Sequence, residues 1–368
     1  MFQHTGALDH VLSPRDYVAP DAFAREARAL FASQWHFAAV ADDLDRPGAH
    51  VAREVAGRPV LLRHDGERVR AFENVCAHRH CRLVPPGAGR SPVLRCGYHG
   101  WEYAGDGRVA RIPDGPSFRG FRAEGLRLRE LPVERLGGLH FVRSGEPGEG
   151  LRDSLGPLAA EIDRYYGRHR CVWRWTTEHD VNWKVIAENA VESYHVPAAH
   201  PHTFREFRPP ELHDHVLAKR YTRYHDRKPW GERPAELFLR AFRTLLLADA
   251  DGERFKQTHV FPNLLLYYGD LFSISIALEP LGPTRTRHVL HGFVPRRLRS
   301  PALRPLQALF ARVFVPGVRR VFREDMALWD EIQAGLAASG HRGVLSAREE
   351  RVYAFQCWVR DAIAGEAR

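Results

Sequence analysis

Cys76-Ala77-His78 and Cys96-Gly97-Tyr98-His99 place a soft thiolate and a neutral imidazole at each of two turns of the chain. Two cysteines on one iron and two histidines on the other make the ligand set of a Rieske-type [2Fe–2S] centre. Exchanging two thiolates for imidazoles leaves such a centre less negative, so it accepts an electron more readily than an all-cysteine cluster. The chain holds 21 histidines, but the matched pairing with both cysteines sets His78 and His99 apart from the rest. Electron transfer is the chemistry this set performs.

Two neighbours bear on the setting of that cluster. Cys81 extends the first word to Cys76-x-His78-x-x-Cys81, which resembles respiratory Rieske proteins with a disulfide beside the cluster. The partner position is Tyr98, so no such disulfide is expected. Cys81 then reads as a small buried apolar residue, and the Tyr98 hydroxyl as a donor to a cluster sulfur or a cysteine thiolate.

An electron carrier needs nothing beyond this, yet more than half of the chain follows. Glu192 and His195 are three residues apart, a spacing that puts both on one helical face. His200 would point away from them on a continuous helix, but Pro197 disfavours helix at the residue before it and lets the chain turn back. A carboxylate would complete the two-histidine set that holds non-haem Fe(II) with open positions. Asp325 is the candidate, because it falls on the stripe of Val318, Phe322, Trp329, Ile332 and Leu336. A carboxylate on an apolar face is expensive unless it is paired or binds metal. Pairing with Arg320 or Arg323 is the structural alternative, and Glu324 lies about 100° off the face. His202, beyond Pro201, is a decoy for His200; His213 and His215 read as solvated.

These residues need two scaffolds. Residues 14–35 read as an amphipathic helix with Phe23, Ala27, Leu30 and Phe31 on one face. From His36 to about Arg143, short β-rich runs (51–55, 59–63, 69–74, 93–96 and 139–142) alternate with Gly and Pro punctuation, the pattern of a small β domain with both cluster turns at strand ends. Residues 145–150 read as a linker. Beyond it, 171–177, 264–268, 272–278 and 286–293 read as strands, and 181–194, 315–336 and 347–363 as helices. Strand-helix alternation is missing, so the second region reads as antiparallel α+β. The resulting division is a helical segment 1–35 packing on the catalytic domain, an iron-sulfur domain 36–145 and a mononuclear-iron domain 146–368.

Composition agrees with such a protein. Of 368 residues, 44% are hydrophobic and 27% charged, which supports folded domains and excludes general disorder. The formal charge of +9 comes from scattered arginine, with lysine only at Lys184, Lys219, Lys228 and Lys256; no clustered basic run suggests nucleic acid. A positive patch could still dock an acidic electron donor. Cys171 and Cys357 have no spacing partner, so a disulfide framework is not expected. No signal-like N-terminus and no run of roughly twenty apolar residues is present, and the expected location is the cytoplasm, with no membrane attachment.

Taken together, the two cluster words, Asn182-Trp183-Lys184, Glu188-Asn189, Glu192-x-x-His195-x4-His200 and Glu324-Asp325 resemble the alpha subunits of Rieske non-haem iron oxygenases from about residue 30 onward. The resemblance implies a Rieske β domain and a helix-grip catalytic domain, an antiparallel sheet around a long C-terminal helix. It also implies a homotrimer in which the cluster of one subunit serves the iron of the next through a bridging carboxylate, here Glu192. Small-molecule substrate, O2, and electrons from NAD(P)H through a separate reductase or ferredoxin complete the implied system; the chain itself carries no Gly-x-Gly-x-x-Gly turn. Glutamate at 192, with Gln333-Ala334-Gly335-Leu336 and Gly343-Val344-Leu345-Ser346, looks more like the monooxygenases of quaternary ammonium compounds such as choline, betaine and carnitine. Hydroxylation or N-dealkylation of a small nitrogenous or polar molecule is the leading expectation. N-oxygenation of an arylamine or aminoheterocycle, hydroxylation of an aromatic natural product, and a non-catalytic electron carrier are its rivals. Trp173, Trp175, Tyr267 and Tyr268 could form a cation–π cage or belong to the core.

Overall fold

The computed structural model describes residues 2–145, 148–200, 212–226, 234–247 and 255–366. The chain divides into two compact units, Met1–Phe31 with Arg164–Arg368, and Ala32–Asp163. The N-terminal segment comprises β1 (Leu8–Asp9), α1 (Arg15–Val18), α2 (Pro20–Glu26) and a π-helical turn, Ala27–Phe31. It is not one helix, because Ala19 is extended before Pro20 starts a new one. Its buried stripe is Ala22, Glu26 and Leu30, whereas Ala27 is exposed. Glu26 is tolerated inside because Lys184 Nζ, at 2.6 Å, and Trp183 Nε1, at 3.0 Å, both donate to its carboxylate.

The Ala32–Asp163 unit contains β2 (Trp35–Val40), β3 (Ala49–Val55), β4 (Arg58–His64), β5 (Val69–Glu73), β6 (Gly87–Arg90), β7 (Leu94–Arg95), β8 (Glu102–Tyr103), β9 (Val109–Arg111), β10 (Glu130–Leu131), β11 (Val133–Leu136) and β12 (Leu139–Arg143). They form antiparallel sheets ordered β10-β5-β4-β3-β6, β11-β12-β2 and β7-β8-β9. Alternation along β3 to β5 buries Val51, Val60, Leu62 and Ala71 in one core. Ala52, Leu61, Phe72, Leu94 and Tyr103 form a second core, which also takes in Cys76 and Cys96. After the expected linker come α3 (Leu151–Leu155) and α4 (Pro157–Gly167), and the division between units falls inside α4.

The second unit is built on one antiparallel sheet ordered β13-β19-β18-β17-β16-β15-β14. In chain order its elements are β13 (His169–His179), α5 (Trp183–Val191), α6 (Val196–Ala199), β14 (His213–Leu217), β15 (Tyr221–Asp226), α7 (Pro234–Leu246), β16 (Lys256–Val260), β17 (Leu264–Tyr268), β18 (Ser273–Gly282), β19 (Arg285–Pro295), α8 (Arg304–Ala338), β20 (Val344–Leu345) and α9 (Glu350–Glu366). Cross-strand partners share a face, so Trp173, Gly292, Ile274, Tyr267 and Gln257 form one row across it. Helices cover this side: Gln257 donates to Ala190 O of α5, His288 packs on Phe322 and Trp329 of α8, and His259 packs on Phe355 of α9. On the opposite side Tyr165 and Tyr166 pack against Tyr268.

The inward stripe of α8 departs from its expected sequence positions. Ile332 is 41% exposed, while Gln333 is buried and accepts from the Asn182 backbone N–H at 2.8 Å. Over several turns the 3.6-residue period carries the face from Trp329 to Gln333 rather than to Ile332. His215 is another correction. It is buried against Glu350, Nδ1 to Oε1 at 2.7 Å, and is not solvated. The side chain of His213 and all of His202 lie outside the described residues. Among those described, no helix is long and apolar enough to cross a membrane.

Candidate metal centres

The two cysteine turns are built alike. Cys76 N–H donates to Cys81 O and His80 N–H to Cys76 O; Cys96 N–H donates to Trp101 O and Gly100 N–H to Cys96 O. Each loop closes through a residue with left-handed backbone at its fifth position, His80 (φ 57°) and Gly100 (φ 71°). Glycine adopts that conformation freely, and histidine is among the side chains that tolerate it. The turns thereby bring the His78 and His99 rings to 4.6 Å between centroids. Both thiols are buried. Burial opposes ionisation of Cys96, but backbone N–H groups of Tyr98 and His99 aim at its sulfur and hold its pKa below the ordinary thiol value. His78 Nδ1 is buried without a hydrogen-bond partner, a nitrogen shaped for a metal bond. This donor set fits a [2Fe–2S] cluster.

Tyr98 does not play the expected part. It is 56% exposed, stacks on His99 and has its hydroxyl 3.5 Å from Arg79. Tyr103, five residues on, takes that place: its hydroxyl lies 3.1 Å from Cys76 Sγ and accepts from Ala77 N–H at 2.9 Å. Burial first, and then the contact with Cys76, raise its pKa above the ordinary phenol value, so it stays a donor to the sulfur. Trp101 lies flat against His78, 4.9 Å away with 1° between planes. Cys81 is half-buried with its sulfur near Arg82 O, and all five cysteines are free thiols.

The second constellation collects from three elements. Asn182 caps α5, accepting from Lys184 N–H at 2.9 Å, and the helix ends at Val191, one residue before Glu192. Glu192 is extended (φ −111°, ψ 170°), so it meets His195 through a turn and not through helical spacing. Its carboxylate accepts from the backbone N–H groups of Tyr194 and His195 and from His195 Nδ1. His195 and His200 flank the single turn of α6, in which Pro197 sits near the start. The proline begins a new helical turn; it does not merely end the old one. Asp325, from the middle of α8, approaches His195 Nε2 at 3.4 Å and His200 Nε2 at 3.1 Å through Oδ1.

Glu324 belongs to this site as well. Its Oε2 lies 2.8 Å from His200 Nδ1, and Arg320 holds its other oxygen at 3.3 Å. A rotation of 100° removes it from the inward stripe, but a long side chain reaches a histidine arriving from a different element. Each histidine therefore rests its Nδ1 on a glutamate and turns its Nε2 toward Asp325. That fixes the tautomer and aims both Nε2 lone pairs at one point. Asp325 Oδ1 is buried and lacks a hydrogen bond of good geometry, and one ligand atom from each of His195, His200 and Asp325 falls within 4.8 Å of the others. Burial opposes protonation of His195, but Asp325 and Glu192 outweigh it and lift the imidazole to about 9; His200 is raised in the same way by Asp325 and Glu324. Burial pushes Asp325 up, and both histidines more than reverse it. A divalent cation can replace those protons, and the donor set fits non-haem Fe(II).

The aromatic cage does not assemble. Tyr268 is buried on the far face of the sheet with its hydroxyl on Thr258, and Trp173 and Trp175 stack with Arg319. At Tyr267, burial first, and then the Asp325 carboxylate, push the hydroxyl up to about 12 against the lowering effect of its contact with Gln257 and the charge of Arg351.

Residues 167–365 match the family Ring hydroxylating alpha subunit (catalytic domain), and residues 34–124 match the Rieske [2Fe-2S] domain. The chain is 31% identical over 189 residues to the carnitine monooxygenase oxygenase subunit of Acinetobacter baumannii, a match covering 50% of this chain and 51% of that one. It thus spans about half the length of that curated relative. Choline monooxygenase of Spinacia oleracea is 23% identical over 361 residues, 94% of this chain and 77% of the relative. Among solved structures, a quaternary ammonium Rieske monooxygenase in complex with L-carnitine superposes with a TM-score of 0.76 at 23% identity, covering 97% of this chain and 96% of the other. Naphthalene 1,2-dioxygenase from Rhodococcus sp. bound to indole gives 0.79 at 20% identity, covering 97% and 95%. At these identities the structural likeness establishes the fold.

Proposed function

The chain belongs to the ring-hydroxylating alpha-subunit family, and on that premise we propose that it is the terminal oxygenase of a multicomponent Rieske system. It would hydroxylate or N-dealkylate a small nitrogenous or polar molecule with O2, drawing electrons from NAD(P)H through a separate reductase or ferredoxin. Cys76, His78, Cys96 and His99 would hold the cluster; His195, His200 and Asp325 would hold Fe(II). When bound, the iron supplies the oxygen chemistry and the cluster supplies its electrons. The chain's own work is orientation. Glu192 and Glu324 fix the two imidazoles, Glu192 would couple His195 to electron delivery, and Tyr103 would donate to a cluster thiolate.

The observation that carries the proposal is Asp325 on the inward side of α8 with its Oδ1 shared between two oriented histidines. An electron carrier has no use for that arrangement. Quaternary amines enter as substrates through the carnitine and choline relatives; a homotrimer follows from the family resemblance, and a cytoplasmic location from the sequence reading. Asp325→Ala is expected to lose mononuclear iron and turnover while the visible spectrum of the cluster persists. Full activity in that variant refutes the assignment, and iron counts near the cluster's own two atoms per chain in the parent would favour the carrier.

A further inference from the structure

Away from the metal residues, two buried donors without an acceptor belong to one stacked group of side chains on the helix-facing side of β13. Trp173 and Trp175 lie side by side there, with ring centroids 6.1 Å apart. Arg319 of α8 lays its guanidinium over both, 5.3 Å from the Trp173 ring centre and 5.6 Å from that of Trp175. Arg319 Nε and Trp173 Nε1 are both buried, and neither has a hydrogen-bond partner among the described residues. Guanidinium and indole are donor-only groups. Buried donors left unmatched are costly, and an acceptor arriving from outside would relieve that cost.

The acceptor's charge follows. An ammonium group would be repelled by the guanidinium that already stacks on these rings, whereas a carboxylate matches its planar fork. Gly292 lets Trp173 lean over β19, since a Cβ there would stand 2.9 Å from Trp173 Cε3. Trp173, Gly292, Ile274 and Tyr267 share one row, and three strand spacings separate its ends by about 14 Å. Arg319 and Asp325 lie on the same helix, six residues or about 9 Å apart along its axis, so α8 connects the donor pair with the neighbourhood of the proposed iron.

We propose that Arg319 and the indole N–H of Trp173 form a carboxylate-binding subsite, and that the oxygenase acts on an organic acid or zwitterion whose acidic end is held there. This rests on the oxygenase reading and narrows its substrate class: a bare quaternary ammonium cation lacks the group the site receives.

The test titrates the purified protein by calorimetry with straight-chain monocarboxylates from acetate to decanoate, with L-carnitine, and with the methyl ester of each. At least one acid is expected to bind saturably and its ester about 10-fold or more weaker, the range of a hydrogen bond to a charged group. Arg319→Gln should bring the acid down to the level of its ester, Arg319→Lys should retain part of the preference, and Trp173→Phe should weaken the acid while leaving the ester unchanged. The proposal fails if no acid binds, or if acid and ester bind alike in the parent. It also fails if Arg319→Gln alters the oligomeric state in gel filtration while acid binding persists, since the guanidinium then meets another copy of the chain. Iron content and cluster absorbance of the same samples report separately on the oxygenase reading.

Discussion

Replacing Glu324 by alanine removes the carboxylate that accepts from His200 Nδ1 and leaves Asp325 and His195 in place. The lost contact is 2.8 Å long and lies beside a His200 side chain that is 3% exposed, so water cannot readily stand in for the carboxylate. Carboxylates that support a ligating histidine are worth about 10–100-fold in metal affinity, or about 1.4–2.7 kcal/mol. The Glu324→Ala protein should lose Fe(II) affinity within that range. Glu324→Gln keeps an acceptor and loses only the charge, and should fall between the two. Glu324 is held below the ordinary carboxylate pKa first by His200 and also by Arg320; Arg320 is 63% exposed, so Arg320→Ala should change little. The assay is anaerobic titration of metal-stripped protein with Fe(II) against a competing chelator, with the visible absorbance of the cluster as internal control. Parent-like iron affinity in the alanine variant would show that Glu324 does not orient His200. A parallel loss of cluster absorbance would mark general misfolding and defeat the reasoning equally.

The metal-free protein should carry its own pH signature. With His195 raised to about 9 and His200 raised as well, the folded state holds protons that the unfolded chain releases near 6.5. Their stabilisation is complete below that pH and fades as pH rises toward 9, so the melting temperature of the stripped protein should drop across that window and flatten when iron is bound. Glu26→Gln strands the Lys184 ammonium in a site where both side chains are almost fully buried; chemical denaturation should show a loss of about 3–5 kcal/mol, and a loss below 1 kcal/mol would mean the pair is solvated. Tyr103→Phe deletes the hydroxyl facing Cys76, and spectroelectrochemistry should find a lower cluster potential with the absorbance bands retained.

What the sequence declares by itself is local chemistry. The Cys-x-His and Cys-x-x-His words are legible because each cysteine and its histidine sit in one tight turn, whose hydrogen bonds stay within six residues. Strand 264–268 and the inward position of Asp325 are legible too, since a two-residue or 3.6-residue period survives any tertiary arrangement. Sequence spacing fails where a side chain is satisfied from elsewhere. Glu324 looked misplaced on its own helix and is placed by His200, 124 positions away. His215 looked solvated and is buried by Glu350 across 135 positions. Tyr98 and Tyr103 are equivalent by residue type, and only the path of β8 decides which hydroxyl meets Cys76. The tryptophans at 173 and 175 could have met any cation; packing of α8 on the sheet supplied the protein's own. The proposed ligands are thus marked largely by local spacing, whereas their orientation and protonation come from partners that only the folded chain brings within hydrogen-bonding reach.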